Sequence, residues 1–406
     1  MCPITPAEHR LNDGVLFWEK AYADYFKPDR FRLSLQSAIQ AFRSVTFVLQ
    51  AQKEKLPGFE PWYAQHQAAM RQNPKMRWLV DARNFIEKQG DLTTSSKFKV
   101  TLSNSWMNGP ATEFPLGPEV TAADVAKLLA NTIAPALINE EALLRFDRQW
   151  IDSLLPGEEV LGTLIHCYSC LSAILQDAHS LLPEEEKEKC KFHRRATTIT
   201  DRLPRAMLSC QFPRVAWFKL RKNKLTEYET KSVTLTWGEI EKRAKTRYPG
   251  VFDGFKAGMT FREECTEYFQ VAKRLLVRDG HHVTIAIIGT DTFPIIYELR
   301  PQDRADQHVL MRELASQCLR VKGRSVILIS EAWISRALHR YRHAADDPGR
   351  SEALVLHAVN SGGTILNFSV PFSREGKKIT FGDDETLEGP VPPQLLAVYQ
   401  ALRGTQ

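Results

Sequence analysis

"HHVTIAIIGTDTFPIIYELR", residues 281–300, marks the point where the texture of the chain changes. HHVTIAIIG and FPIIYELR are β-rich runs on either side of Asp291. Such runs, bounded by turn residues, predict strands. Toward the C-terminus, ADQHVLMRELASQCLRVKG (305–323) has the spacing of an amphipathic helix closed by glycine, and RSVILISEAW (324–333) predicts another strand. SEALVLHAVN, GTILNFSVPF and KKITFGD then follow as strands joined by short turns rich in Gly, Ser and Arg. Short links suit antiparallel neighbours, whereas parallel neighbours need long crossovers. The expected order is β-β-α-β-α-β-β-β, a mostly antiparallel α/β sheet domain over residues 276–406.

Upstream the periodicity is that of helices. Phe31, Leu35, Ala38, Ile39, Phe42, Val45, Thr46 and Leu49 recur at steps of three and four, with Asp29 placed to cap them. A short helix is expected around Trp62 to Met70, and Asn73-Pro74 then opens a third. There Met76, Leu79, Val80, Phe85 and Ile86 form the apolar side, and Gly90 is the stop. KFKVTLSNSW (97–106) predicts a short strand. Helical patterns resume near Ala122, run through INEEALLRFDRQWIDSLL (138–155), and continue in a segment whose face is Leu161, Ile165, Tyr168, Leu171, Leu175 and Ala178. SVTLTW (232–237) predicts a strand, and helices are expected over 236–247 and 260–280. The fold class is therefore α+β, mainly helical in its N-terminal and central regions. The expected division is 1–115, 116–275 and 276–406, since a chain of 406 residues exceeds what one core usually serves.

The formal charge of +6 is unevenly placed. Residues 187–224 hold twelve Lys and Arg against Glu188 and Asp201, so the remainder of the chain is net negative. A basic block of this kind attracts anions: RNA or DNA, an acidic partner, or the chain's own acidic surface. The expected partners are RNA or DNA and a protein, a second copy of the chain (homodimer) included. Its aromatics, Phe192, Phe212, Trp217 and Phe218, either stack on bases or fill the core beneath. The candidate nucleic-acid contacts are Arg194, Arg195, Arg221, Lys222 and Trp217. No apolar run approaches the ~18 residues that cross a bilayer, and the start lacks the pattern of a signal peptide, so no membrane partner and a cytoplasmic location are expected. Walker, dinucleotide, Gly-x-Ser-x-Gly and His-Glu-x-x-His motifs are all missing, which argues against the common ATPase, dehydrogenase, hydrolase and zincin chemistries.

MRWLVDARNFIEKQGDL, residues 76–92, places Arg83 and Asn84 together near a helix end. Over roughly residues 15–95, a long helix followed by a helix bearing Arg-Asn resembles the HEPN superfamily of small helical domains, many of them RNases of bacterial defence systems. The resemblance implies that arginine stabilises phosphate charge in the transition state while a histidine a few residues on moves the 2′-hydroxyl proton. Here Lys88 stands where that histidine would be, so the motif is degraded. The candidate catalytic set is thus Arg83, Asn84 and Lys88. On the other reading, Arg83 and Asn84 tie the helix end to neighbouring backbone or to carboxylates such as Asp81 and Glu87.

Cys167, Cys170, Cys190 and His193 have a spacing that tetrahedral zinc accepts, although cysteines on an amphipathic helix are ordinarily core residues. No metal or other cofactor is expected. Asp291, Glu298, Glu331 and Glu352 lie in or beside strands, where carboxylates hold a metal or serve as edge charge. The expected function is that of a non-catalytic binding or regulatory protein, with a place in bacterial defence or stress implied by the HEPN resemblance. The alternative is a metal-independent RNase using Arg83 and Asn84.

Overall fold

A computed structural model of the chain describes residues 2–106, 109, 111–188, 203–227, 242, 246–335, 344–376 and 378–404. It is an α+β protein with two antiparallel sheets. Two compact units are present: Met1–Leu102 with Gly109–Leu137 and Leu143–Tyr228, and Ser103–Asn108 with Ile138–Ala142 and Glu229–Gln406.

In the first unit, α1 (Thr5–Ala23) and α2 (Pro28–Gln50) pack along their lengths, followed by α3 (Phe59–Gln72) and α4 (Pro74–Lys88). The apolar face expected for α2 is buried in full, but the helix starts at Pro28 with no side-chain cap, and Asp29 lies in its first turn. Asn73 does cap α4, its side chain accepting from the backbone N–H groups of Lys75 and Met76. The buried side of α4 is Met76, Trp78, Leu79 and Ala82, while Val80, Phe85 and Ile86 are only half-buried.

The sheet of this unit has the order β2-β1-β3-β4-β5, with β1 Thr94–Ser103, β2 Ala111–Leu116, β3 Leu143–Asp152, β4 Arg214–Lys219 and β5 Lys224–Thr226. Between β2 and β3 lies α5 (Ala122–Ala130), with a Thr121–Asp124 capping box. Strand β3 corrects the helix expected over 138–155. Leu143, Leu144, Phe146, Trp150 and Ile151 are compatible with either period, and the tertiary context decides: Trp150 stacks on Phe31 at 4.6 Å and Phe146 packs on Phe98 at 5.2 Å. A central strand is buried on both faces, so its charged residues must be accommodated inside. Arg145 pairs with Asp147, and Arg148 is fully buried over the Trp150 ring.

Helix α6 (Val160–Ala178) packs against α1, α2 and α4, and the Trp18 indole N–H donates to the Leu161 carbonyl. That shared core explains why the chain does not divide near residue 115. The short helices α7 (Glu184–Glu188) and α8 (Arg205–Ser209) also belong to this unit.

The second unit is built on a sheet of order β11-β10-β9-β8-β6-β7, with β12 added beside β10. The strands are β6 Ile285–Gly289, β7 Ile295–Glu298, β8 Ser325–Ile334, β9 Ser351–Asn360, β10 Ile365–Glu375, β11 Lys378–Phe381 and β12 Glu385–Glu388. Helix α9 (Phe261–Asp279) opens on a Thr260–Glu263 capping box and stops at Gly280 with φ of 74°. Its Cys265, Phe269, Ala272 and Leu276 cover one face of the sheet. Helix α10 (Arg304–Arg320) and helix α11 (Leu396–Gly404) cover the other, through Met311, Leu314, Cys318, Val398 and Leu402. Because both faces are covered, the central strands read as continuous apolar runs, which is why they were legible. The SVTLTW strand, most of the helix expected over 236–247 and much of the segment between β8 and β9 lie outside the described residues.

Candidate functional site

Helices α2, α3 and α4 form a cleft of about 390 Å³ in the first unit. Arg43 from α2, Arg71 from the end of α3 and Arg77 from the start of α4 all line it. Arg43 and Phe47 are one helical turn apart on α2, so they share a face. The Arg43 guanidinium lies 4.0 Å from the Phe47 ring centroid, and Phe47 is 45% exposed.

Arg43 is half-buried, and its guanidinium donates to the Thr46 hydroxyl. Burial lowers its pKa, Tyr63 acts in the opposite sense, and the charge of Arg83 lowers it again. No carboxylate pairs with Arg43, Arg71 or Arg77 among the described residues. A partly desolvated guanidinium without a counter-charge favours an incoming anion, because the dehydration cost has already been met in folding. Asp81 is the one carboxylate of the described lining, and no histidine, lysine or cysteine contributes to it. Groups that exchange protons near neutral pH are thus missing from this lining, and it is suited to holding an anion rather than to acid–base chemistry.

The sequence candidates take the following places. Arg83 is half-buried and does not line the cleft, although its guanidinium lies 5.8 Å from the Phe47 centroid. It pairs with Glu87 at 2.7 Å and donates to Asn84 Oδ1 at 3.3 Å, the helix-end tie that the alternative reading expected. Lys88 is exposed in the last turn of α4, so it lacks the burial that a lysine base requires. Trp217, proposed from sequence as a stacking platform, is 1% exposed in β4 beneath Arg145, and no base reaches its face. Arg221 and Lys222 are exposed in the β4–β5 turn. Arg194, Arg195, Cys190 and His193 lie outside the described residues. Sequence reasoning missed Arg43, Phe47, Arg71 and Arg77. The Arg43–Phe47 spacing and the arginines flanking Asn73-Pro74 were the available signals.

A second cavity, of about 570 Å³, is lined from α3, α4 and α6 by His66, Asn73, Cys170 and Asp177 among others. His166 Nε2 is 2.8 Å from Asn73 Nδ2 and 3.5 Å from Cys170 Sγ. Asn73 Oδ1 accepts the capping bonds, so its amide donates to His166 and occupies the lone pair a thiol would need. Burial pushes the Cys170 thiol up, which further opposes a thiolate. Cys167 is fully buried and donates to the Lys75 carbonyl. The four strand carboxylates do not form one cluster: Glu331 and Glu352 share Arg374, while Asp291 pairs with Arg324 and Glu298 with Arg300.

The sequence profile of the family described as bacteriophage lambda protein ea47 matches residues 1–402. The chain belongs to the lambda ea47 family. Protein ea47 of Escherichia phage lambda is 26% identical over 388 residues, covering 92% of this chain and 91% of that protein. No solved structure matches. The ea47 match overturns the HEPN resemblance, because it takes in the whole chain, α2 to α4 included, as one family and no HEPN family matches. An Arg-Asn pair on a helix is too common a dipeptide to carry such an assignment, and here it serves Glu87 and the helix end. Among the described residues of this ea47-family chain, no helix is long and apolar enough to cross a membrane.

Proposed function

We propose that this ea47-family protein binds nucleic acid without cleaving it, and that the α2–α3–α4 cleft is the binding site. The observation that carries the reading is Arg43, a half-buried guanidinium with no carboxylate partner among the described residues, at a cleft that Arg71 and Arg77 also line. Phosphate is the anion best matched to several guanidiniums, since each presents a planar fork of donors to its oxygens.

The test is fluorescence anisotropy of a labelled oligonucleotide at low ionic strength, followed by a salt titration. The Arg71→Gln/Arg77→Gln protein is expected to bind more weakly, with a plot of log affinity against log salt shallower by roughly 0.7 per arginine on a single strand. Both positions are exposed, so stability is expected to move by no more than about 0.5 kcal/mol each. Absence of binding by the parent protein at low salt, or an unchanged slope in the variant, refutes the assignment.

A further inference from the structure

We infer that the ligand is single-stranded nucleic acid, with one base seated on the Arg43–Phe47 stack; this rests on the nucleic-acid reading above. Phe47 is 45% exposed although it is a large aromatic residue, with the Arg43 guanidinium over its ring at 4.0 Å and the Glu87-paired Arg83 guanidinium 5.8 Å from its centroid. Arg43 covers part of the ring, and the exposed remainder of Phe47 suits a nucleobase while Arg43, Arg71 and Arg77 suit the phosphates on either side of it.

Duplex fits this arrangement poorly. Its bases are stacked inside, and only its phosphates reach a protein surface unless a base is flipped out at an energetic cost. The exposed Arg71 and Arg77 are open to either form. Arg43 is half-buried, and the cleft of about 390 Å³ lies in the range, roughly 300 to 1,000 Å³, that encloses one small ligand unit. A splayed nucleotide enters such a space, whereas the body of a duplex does not. Gln50 also lines the cleft; its amide N–H groups donate to the Thr46 carbonyl and the Tyr63 hydroxyl, which leaves its carbonyl oxygen to the polar edge of a base.

The experiment compares the parent protein on a fluorescein-labelled single-stranded deoxyoligonucleotide, its duplex, and an abasic strand of equal length. The expected result is tightest binding to the intact single strand, by about tenfold over the other two, the scale of one base stacked on an aromatic ring. Phe47→Leu is expected to lose about tenfold on the single strand with its salt slope unchanged, because no phosphate contact has gone. Phe47→Tyr is expected to retain the affinity, since the ring is kept. Equal affinity for the three probes, or full binding by Phe47→Leu, overturns this inference and leaves the nucleic-acid reading standing. Failure of the parent protein to bind any of the three overturns the reading beneath it.

Discussion

Gly14→Ala is expected to destabilise the first unit, although alanine is the better helix former. Gly14 lies inside α1, where alanine alone is favoured by about 1 kcal/mol. A Cβ at this position would sit 2.3 Å from Cδ1 and Cε1 of Phe42, well inside van der Waals contact. Phe42 cannot withdraw easily, because it is fully buried on α2 and packs edge-on against Tyr168 of α6. Overpacking of this kind costs about 1 to 3 kcal/mol, occasionally more, and outweighs the propensity gain. Thermal or denaturant unfolding is expected to show a net loss of about 1 to 2 kcal/mol, and Phe42→Leu in the same chain is expected to recover part of it. A Gly14→Ala protein at least as stable as the parent would mean that α1 and α2 do not approach this closely.

The second large effect is a dependence of stability on pH set by Glu159. Glu159 is the N-cap of α6, its carboxyl accepting from the Tyr25 hydroxyl at 3.0 Å and from the Gly162 backbone N–H. Burial pushes this carboxyl up to about 8, against the opposite pull of the Gly162 and Leu161 backbone and of Tyr25. In the unfolded chain it titrates near 4.3, so the folded state holds a proton that the unfolded state releases. The stability from the protonated form is therefore complete below about 4 and is lost as pH rises toward about 8. The loss amounts to a few kcal/mol over that window, at roughly 1.4 kcal/mol for each unit of displacement. Glu159→Gln keeps an acceptor for Gly162 and has no proton to lose. It is expected to flatten the profile, so that the variant is the more stable protein at pH near 8 and the advantage vanishes near pH 5. Parallel profiles for parent and variant would contradict this account.

Much of the second unit was legible because its signals are local. The strands of 281–300 and 324–333 are apolar runs closed by turns, and α9 carries both its capping box and its glycine stop within its own sequence. The helix around Phe31–Leu49 was legible for the same reason, since one face repeats at helical spacing over several turns. Strand β3 was not, because Leu143 to Asp152 mixes apolar and charged residues in a pattern that suits either period. Only the pairing with β1 and β4 and the stacking of Trp150 on Phe31 select the strand. Strand β12 and helix α11 gave too short a pattern to be read.

The sequence by itself determined the fold class, the antiparallel run of the second unit, the buried face of α2 and the concentration of positive charge in residues 187–224. These are properties of neighbouring residues, and neighbours along a chain fix periodicity and charge. Only the tertiary structure decided that Trp217 is core, that Gly14 admits Phe42, and that Arg43, Arg71 and Arg77 line one cleft. Each depends on which helix faces meet, and packing of whole faces, summed over many weak contacts, is not written in the spacing of any one segment.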